Sequence, residues 1–187
     1  MAQGVAWKFA PLKAFPDRAE LALDNDVILW EKPASIRQWL DHDPGARVIA
    51  EDVVAGHGVF ARLCGPLPRN SGIRGVPPDF DLEAAFRRVF AMAPGKLRSE
   101  LDEQGLQVAA LSLDSPPLVV GTDDVSICSP FWPHQRHLGR CGAHFVGLNA
   151  WHLPWRYYER EATDVRVEHW ERWRTELYAR VGLVPVF

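Results

Sequence analysis

The sequence predicts an α/β fold in which a mixed sheet is flanked by helices. Short apolar runs of strand length alternate with amphipathic segments of helical period, and 15 prolines and 14 glycines are spread along the 187 residues. Strands and helices mixed in this way along one chain indicate an α/β or α+β class. We expect one domain over residues 1–187, with a C-terminal helix at about 164–181.

Seven segments have the composition and length of strands. The first two, 19–23 and 27–30, are separated only by Asp24, Asn25 and Asp26, which predicts a buried strand that ends in acids. The others are 47–50, 58–63, 118–120, 126–128 and 143–148.

Four segments are predicted to be helices. Pro33 suits the first turn of a helix that holds Ile36 and Trp39. The apolar stripe within 81–91 recurs at helical spacing, and Pro94 and Gly95 follow it. Ser99 with Asp102 resembles a capping box that opens a helix through Leu111, and the C-terminal helix is the fourth.

Composition excludes several classes of protein. Lys and Arg number 21 against 24 Asp and Glu, so a nucleic-acid binder with a strongly basic face is not expected. No apolar run reaches the roughly 20 residues that span a bilayer, and the N-terminus lacks the apolar core of a secretory signal. Three cysteines make no disulfide framework, which favours a cytoplasmic protein.

The Asp24/Asp26 pair differs from the two other D-x-D triplets, Asp41/Asp43 and Asp79/Asp81, because it lies between apolar strands. Two carboxylates beside a core carry a desolvation and repulsion cost that a cation offsets. That cation is either a divalent metal or a basic side chain such as Arg18 or Lys8.

Three further segments each have a simple structural interpretation. His144 opens the run His-Phe-Val-Gly-Leu-Asn and is either a core histidine or a ligand. Asn70-Ser71-Gly72 is a turn before a strand, and the acids of 102–106 suit the first turn of a helix.

Together and in this order, the four motifs resemble the GT-A glycosyltransferases. The pattern is most similar to the family that contains glycogenin and bacterial galactosyltransferases of lipooligosaccharide synthesis. The matching segments are the D-x-D of 24–26, the N-S-G of 70–72, the D-E-Q-G-L of 102–106, and the H-F-V-G of 144–147 with Pro154-Trp155 downstream. The resemblance covers roughly residues 7–155 and includes the segment 7–12.

The resemblance implies a fold, a reaction and a set of roles. Mn²⁺ or Mg²⁺ would be bound by Asp24, Asp26 and His144, and Glu103 or Gln104 would lie near the anomeric carbon. The donor would be a nucleotide sugar, and the acceptor a carbohydrate or another hydroxyl compound. The residues expected to bind these substrates are Lys8, Asn25, Asn70, Ser71, Gly147 and Trp155, with Trp132, Trp151 and Trp155 as stacking walls for the acceptor.

Two departures from the family pattern affect this interpretation. The family has a lysine shortly after H-F-x-G, whereas residues 148–153 here contain none. Only 23 residues precede Asp24, too few for the family's nucleotide-binding half. We therefore expect a partial GT-A-like fold, the catalytic and acceptor-side portion, either truncated or paired with a separate nucleotide-binding chain.

Two alternatives stay open at this point. Cys128, His134, His137 and Cys141 supply four nitrogen or sulfur ligands within fourteen residues, which would suit a zinc-stabilised binding module. The chain could also be a non-catalytic remnant of a glycosyltransferase that keeps the fold without turnover.

Overall fold

The computed structural model describes residues 13–15, 17–150 and 152–183. The strands are β1 (Glu20–Leu23), β2 (Val27–Leu29), β3 (Val48–Glu51), β4 (Arg69–Val76), β5 (Leu118–Val120), β6 (Val125–Ile127), β7 (Gly142–His144), β8 (Arg156–Tyr157) and β9 (Arg160–Glu161). The helices are α1 (Ala34–Asp41), α2 (Ala61–Cys64), α3 (Leu82–Met92), α4 (Glu100–Leu111) and α5 (Ala162–Arg180). None of the helices in these ranges has the length and apolarity needed to span a bilayer.

The described residues form two compact units. The first contains the chain up to Asp24 and Pro33–Gly121; the second contains Asn25–Lys32 and the chain from Thr122 onward. The mixed α/β class predicted from the sequence is confirmed, whereas the assignment of residues 1–187 to one catalytic portion stays a prediction.

The first unit is built on a four-stranded sheet with the order β1-β4-β3-β5. The β1–β4 and β4–β3 pairs are antiparallel, and β3–β5 is parallel. Helix α4 packs on β4 and β3, and its apolar side chains meet those of α3. The buried residues of this core include Ile49, Phe60, Val76, Phe86, Val89, Leu106, Val108 and Leu111.

An irregularity in the β3–β4 pairing shapes the end of β1. Ile49 pairs with Arg74 but Ala50 pairs with Asn70, so β4 has three extra residues at this point. The Asn70 side chain bridges the irregularity: its Nδ2 donates to the Glu51 carbonyl and its Oδ1 accepts from the Gly72 N–H, both at 2.9 Å. The Gly72 carbonyl in turn accepts from the Asp24 N–H at 2.8 Å, which holds the residue that follows β1.

The second unit has a three-stranded sheet with the order β2-β7-β6 and a short hairpin of β8 and β9. Strands β2 and β7 are antiparallel, and β7 and β6 are parallel. Helix α5 covers this sheet, with Leu177 buried against Phe145 and Cys128. Trp170 meets the Phe145 ring edge-on, with 5.2 Å between the ring centres.

The four predicted helices are confirmed, and for α3 and α4 the side-chain caps explain where they begin. Asp81 accepts a hydrogen bond from the Ala84 N–H and opens α3. Ser99 and Asp102 form the predicted reciprocal capping box of α4. Helix α5 begins at Ala162, two residues before the predicted start.

Several predictions about strands were wrong. Strand β1, predicted to be buried, is mostly exposed, and the predicted strand 143–148 ends at His144 and is followed by a turn. Residues 58–63 form a short 3₁₀ turn that continues into α2, because Gly58 has a positive φ of 49° and Phe60 turns into the α3–α4 core. Asn70-Ser71-Gly72, predicted as a turn before a strand, instead lies inside β4, the longest described strand. Its polar residues are buried and bonded to neighbouring elements, a pattern that apolar alternation does not detect.

Candidate metal centre

The pairing of β2 with β7 brings Asp26 and His144 together within the second unit. Val27 pairs with His144, and the Phe145 N–H donates to the Asp26 carbonyl at 2.8 Å. The His144 Nε2 lies 3.2 Å from the Asp26 Oδ1, and the two side chains are only 11% and 14% exposed. A sheet register therefore holds a carboxylate and an imidazole side by side in a place largely shielded from water.

Asp24 completes a group of three side chains. Asp24 is the last residue of the first segment of the first unit and lies two residues before Asp26 in the sequence. One ligand atom from each of Asp24, Asp26 and His144 lies within 4.8 Å of the others. Within residues 13–15, 17–150 and 152–183, this is the one set of three or more His, Cys, Asp or Glu side chains that meets this criterion.

The chemistry of this donor set fits a divalent cation. Carboxylate oxygens suit Mg²⁺ and Mn²⁺, and an imidazole nitrogen shifts the preference toward Mn²⁺. The His144 Nε2 is the ring atom that faces the acids, and the Nδ1 is buried without a hydrogen-bond partner in the described chain. The predicted ligands are thus brought together, and the binding of an ion by them stays a prediction.

Within the described residues, a cation that lies beside Asp24 is Arg74, which the sequence analysis did not single out. The Arg74 Nη2 lies 3.9 Å from the Asp24 Oδ1, and the two side chains are 14% and 16% exposed. Burial lowers the pKa of Arg74, while the charges of Asp24 and Glu103 raise it. The sequence signal for this ion pair is the position of Arg74, two residues after N-S-G. It becomes informative only when residues 70–72 are assigned to a strand that pairs with β1.

The two residues expected near the anomeric carbon have different surroundings. Glu103 is 3% exposed, and its charge acts on Arg74. The Gln104 side chain donates from its Nε2 to the Gly56 carbonyl at 2.8 Å. The charge of Glu103 therefore acts on the guanidinium that neighbours Asp24, whereas Gln104 fastens α4 to the loop before the 3₁₀ turn.

Several predicted substrate-binding residues are engaged by the protein itself. Both polar groups of the Asn70 side chain bind backbone, as described above, and Ser71 is buried beside it. Asn25 accepts a hydrogen bond from Asn149 at 2.9 Å. Gly147 has a φ of 77°, and its carbonyl accepts from the Arg166 Nη1 at 2.7 Å.

The predicted stacking residues in the described chain lie in the second unit. Trp155 is 42% exposed and meets Phe131 edge-on, with 4.5 Å between the ring centres. Trp132 is 83% exposed. Lys8 and Trp151, which were also predicted to bind substrate, lie outside the described residues.

The geometry does not support the zinc alternative. All four proposed ligands are described, yet they form no group of the kind that Asp24, Asp26 and His144 form. The Cys128 Sγ lies 3.3 Å from the His169 Nε2, on the side that α5 covers, and burial raises the pKa of this thiol to about 12. The Cys141 Sγ instead lies 3.8 Å from the Asp124 Oδ1.

No protein-family model, curated protein or solved structure matches this chain. The functional interpretation therefore depends on the residues of this chain and on the geometry described above.

Proposed function

We propose that this protein is a metal-dependent glycosyltransferase that transfers a sugar from a nucleotide-sugar donor to a carbohydrate or another hydroxyl acceptor. The observation that carries the proposal is that, within the second unit, the His144 Nε2 lies 3.2 Å from the Oδ1 of Asp26, the second acid of the D-x-D. The D-x-D and the histidine belong to the same motif pattern, although they lie far apart in the sequence. A structural acid turn would not require a histidine from a distant strand to adjoin it.

Asp24, Asp26 and His144 are the residues that would bind Mn²⁺ or Mg²⁺. When bound, the cation supplies positive charge that stabilises the departing diphosphate. Glu103 is the better candidate of the α4 pair for stabilising an oxocarbenium-like charge, since its charge acts on Arg74, the neighbour of Asp24. Gln104 then serves to hold α4, and with it Glu103, in place.

The setting that we propose for this activity is the cytoplasm. None of the three cysteines forms a disulfide within the described residues, which suits a reducing compartment. The exposed Trp155 and Trp132 supply flat apolar surfaces against which an acceptor sugar could stack.

Binding of nucleoside diphosphates tests the proposal directly. UDP, GDP and ADP are titrated into the protein by calorimetry with Mn²⁺ and then with EDTA. We expect at least one of them to bind only with Mn²⁺, and Asp26→Ala to abolish that binding while the far-ultraviolet circular dichroism is unchanged. Asp26→Asn keeps the shape of the side chain and should also lose binding, because the amide carries no charge.

Asp43→Asn is the matched control, since Asp43 belongs to another D-x-D triplet that lies in an exposed turn. It should bind as the wild type does. Affinity for nucleotide that is the same with Mn²⁺ and with EDTA, or that survives Asp26→Asn, would show that the metal assignment is wrong.

A further inference from the structure

A buried guanidinium lies beside the acid end of β1, on the neighbouring strand β4. Arg74 pairs with Ala22, and Asp24 follows Ala22 by two residues, so the side chains of Arg74 and Asp24 project from the same face of the sheet. The Arg74 Nη2 is 3.9 Å from the Asp24 Oδ1. This distance makes an ion pair but is too long for a hydrogen bond, so the interaction between Arg74 and Asp24 is one of charge.

The other arm of the same guanidinium is fixed by α4. The Arg74 Nη1 donates to the Gln107 Oε1, and Gln107 is 2% exposed. Glu103 lies one helical turn before Gln107, so a second carboxylate charge acts on Arg74 from the same helix. An arginine that is anchored in this way cannot move aside when a second cation approaches Asp24.

We propose that Arg74 is the resident counter-ion of Asp24, and that its fixed charge weakens the binding of a divalent cation by Asp24, Asp26 and His144. This inference rests on the proposed function, because it assigns a determinant of affinity to the same site. Without a divalent cation, Arg74 offsets the charge of Asp24, which lies partly buried at the end of the sheet. The positive charge of Arg74 repels a divalent cation at Asp24 and weakens its binding, so the bound cation can exchange with cations in solution.

The test removes the charge of Arg74 and measures binding of Mn²⁺ alone. Arg74→Met keeps much of the side-chain volume without the charge, and Arg74→Lys keeps the charge. Free Mn²⁺ is followed by its electron paramagnetic resonance signal at pH 8, where carboxyl groups are ionised. The interaction of two unit charges 4 Å apart changes a binding constant by roughly a factor of five in bulk water, and by more in a protein interior. We therefore expect Arg74→Met to bind Mn²⁺ about tenfold more tightly, and Arg74→Lys to stay within about threefold of the wild type.

Arg69→Met is the matched control. Arg69 belongs to the same strand, is 17% exposed, and pairs with Glu51 at 3.8 Å, not with Asp24. Its affinity for Mn²⁺ should equal that of the wild type. A gain in affinity distinguishes a counter-ion from a merely structural residue, since loss of packing weakens a binding site and does not tighten it.

Each outcome decides the inference. Tighter binding by Arg74→Met supports it, including the case in which only the variant binds measurably. Binding by the wild type that Arg74→Met leaves unchanged or weakens overturns the inference and leaves the proposed function standing. Absence of Mn²⁺ binding in both the wild type and Arg74→Met overturns both. If Arg74→Met does not fold, as judged by circular dichroism, Arg74→Gln removes the same charge and can keep a hydrogen bond to Gln107.

Discussion

Helix α4 approaches the loop before the 3₁₀ turn so closely that a single methyl group at Gly105 should disturb it. A Cβ at Gly105 would lie 2.1 Å from the His57 carbonyl oxygen and 2.8 Å from the carbonyl carbon, whereas ordinary contacts begin near 3.4 Å. The atoms in the way are backbone, which cannot rotate aside as a side chain can. Gly105→Ala therefore requires α4 or the His57 segment to shift by about 1 Å.

Two opposing terms set the magnitude. Alanine in place of glycine inside a helix stabilises it by about 1 kcal/mol. Overpacking a well-packed interior costs about 1–3 kcal/mol and occasionally more, and a backbone clash of this size lies at the upper end. We expect Gly105→Ala to lower the free energy of unfolding by about 2 kcal/mol, which lowers the urea midpoint by about 1 M at a typical m-value near 2 kcal/mol/M.

The assay is urea unfolding followed by circular dichroism, with Gly45→Ala as the matched control. No atom lies within 4 Å of a Cβ at Gly45, so that variant should stay within about 0.5 kcal/mol of the wild type. A midpoint for Gly105→Ala that equals or exceeds that of the wild type would refute the close packing of α4 on His57.

Two other predictions concern buried titratable side chains, one in each unit. Asp102 is 4% exposed and accepts hydrogen bonds from three backbone N–H groups. Asp102→Ala should therefore lower the free energy of unfolding by about 2–4 kcal/mol. A decrease below about 0.5 kcal/mol, measured by urea unfolding, would contradict the role of Asp102 as a helix cap. Burial, with the nearby charges of Arg172 and Arg136, lowers the pKa of His169 to about 4, so the unfolded chain binds a proton at this residue before the folded protein does. The free energy of unfolding should therefore decrease as the pH falls from about 6.5 to about 4. In His169→Gln the urea midpoint should depend less on pH over this range than it does in the wild type. An equal pH dependence in the two proteins would contradict the lowered pKa of His169.

Local signals in the chain predicted the helices because each depends on residues a few positions apart. The capping box of Ser99 and Asp102 and the apolar stripe of α3 are properties of short segments. The same signals failed at Gly58 and at β4. There the conformation depends on burial against distant elements, and polar residues such as Asn70 are satisfied by backbone from another strand.

The same distinction between local sequence and distant elements applies to the candidate site. Two acids between apolar runs predict from the local sequence alone that positive charge is needed nearby, because burial of a carboxylate without a partner costs free energy. Which side chain meets each acid depends on strand pairing between residues far apart in sequence. The β2–β7 register brings His144 to Asp26, and the β1–β4 register brings Arg74 to Asp24. Registers of this kind follow from the packing of whole sheets, which no short segment encodes.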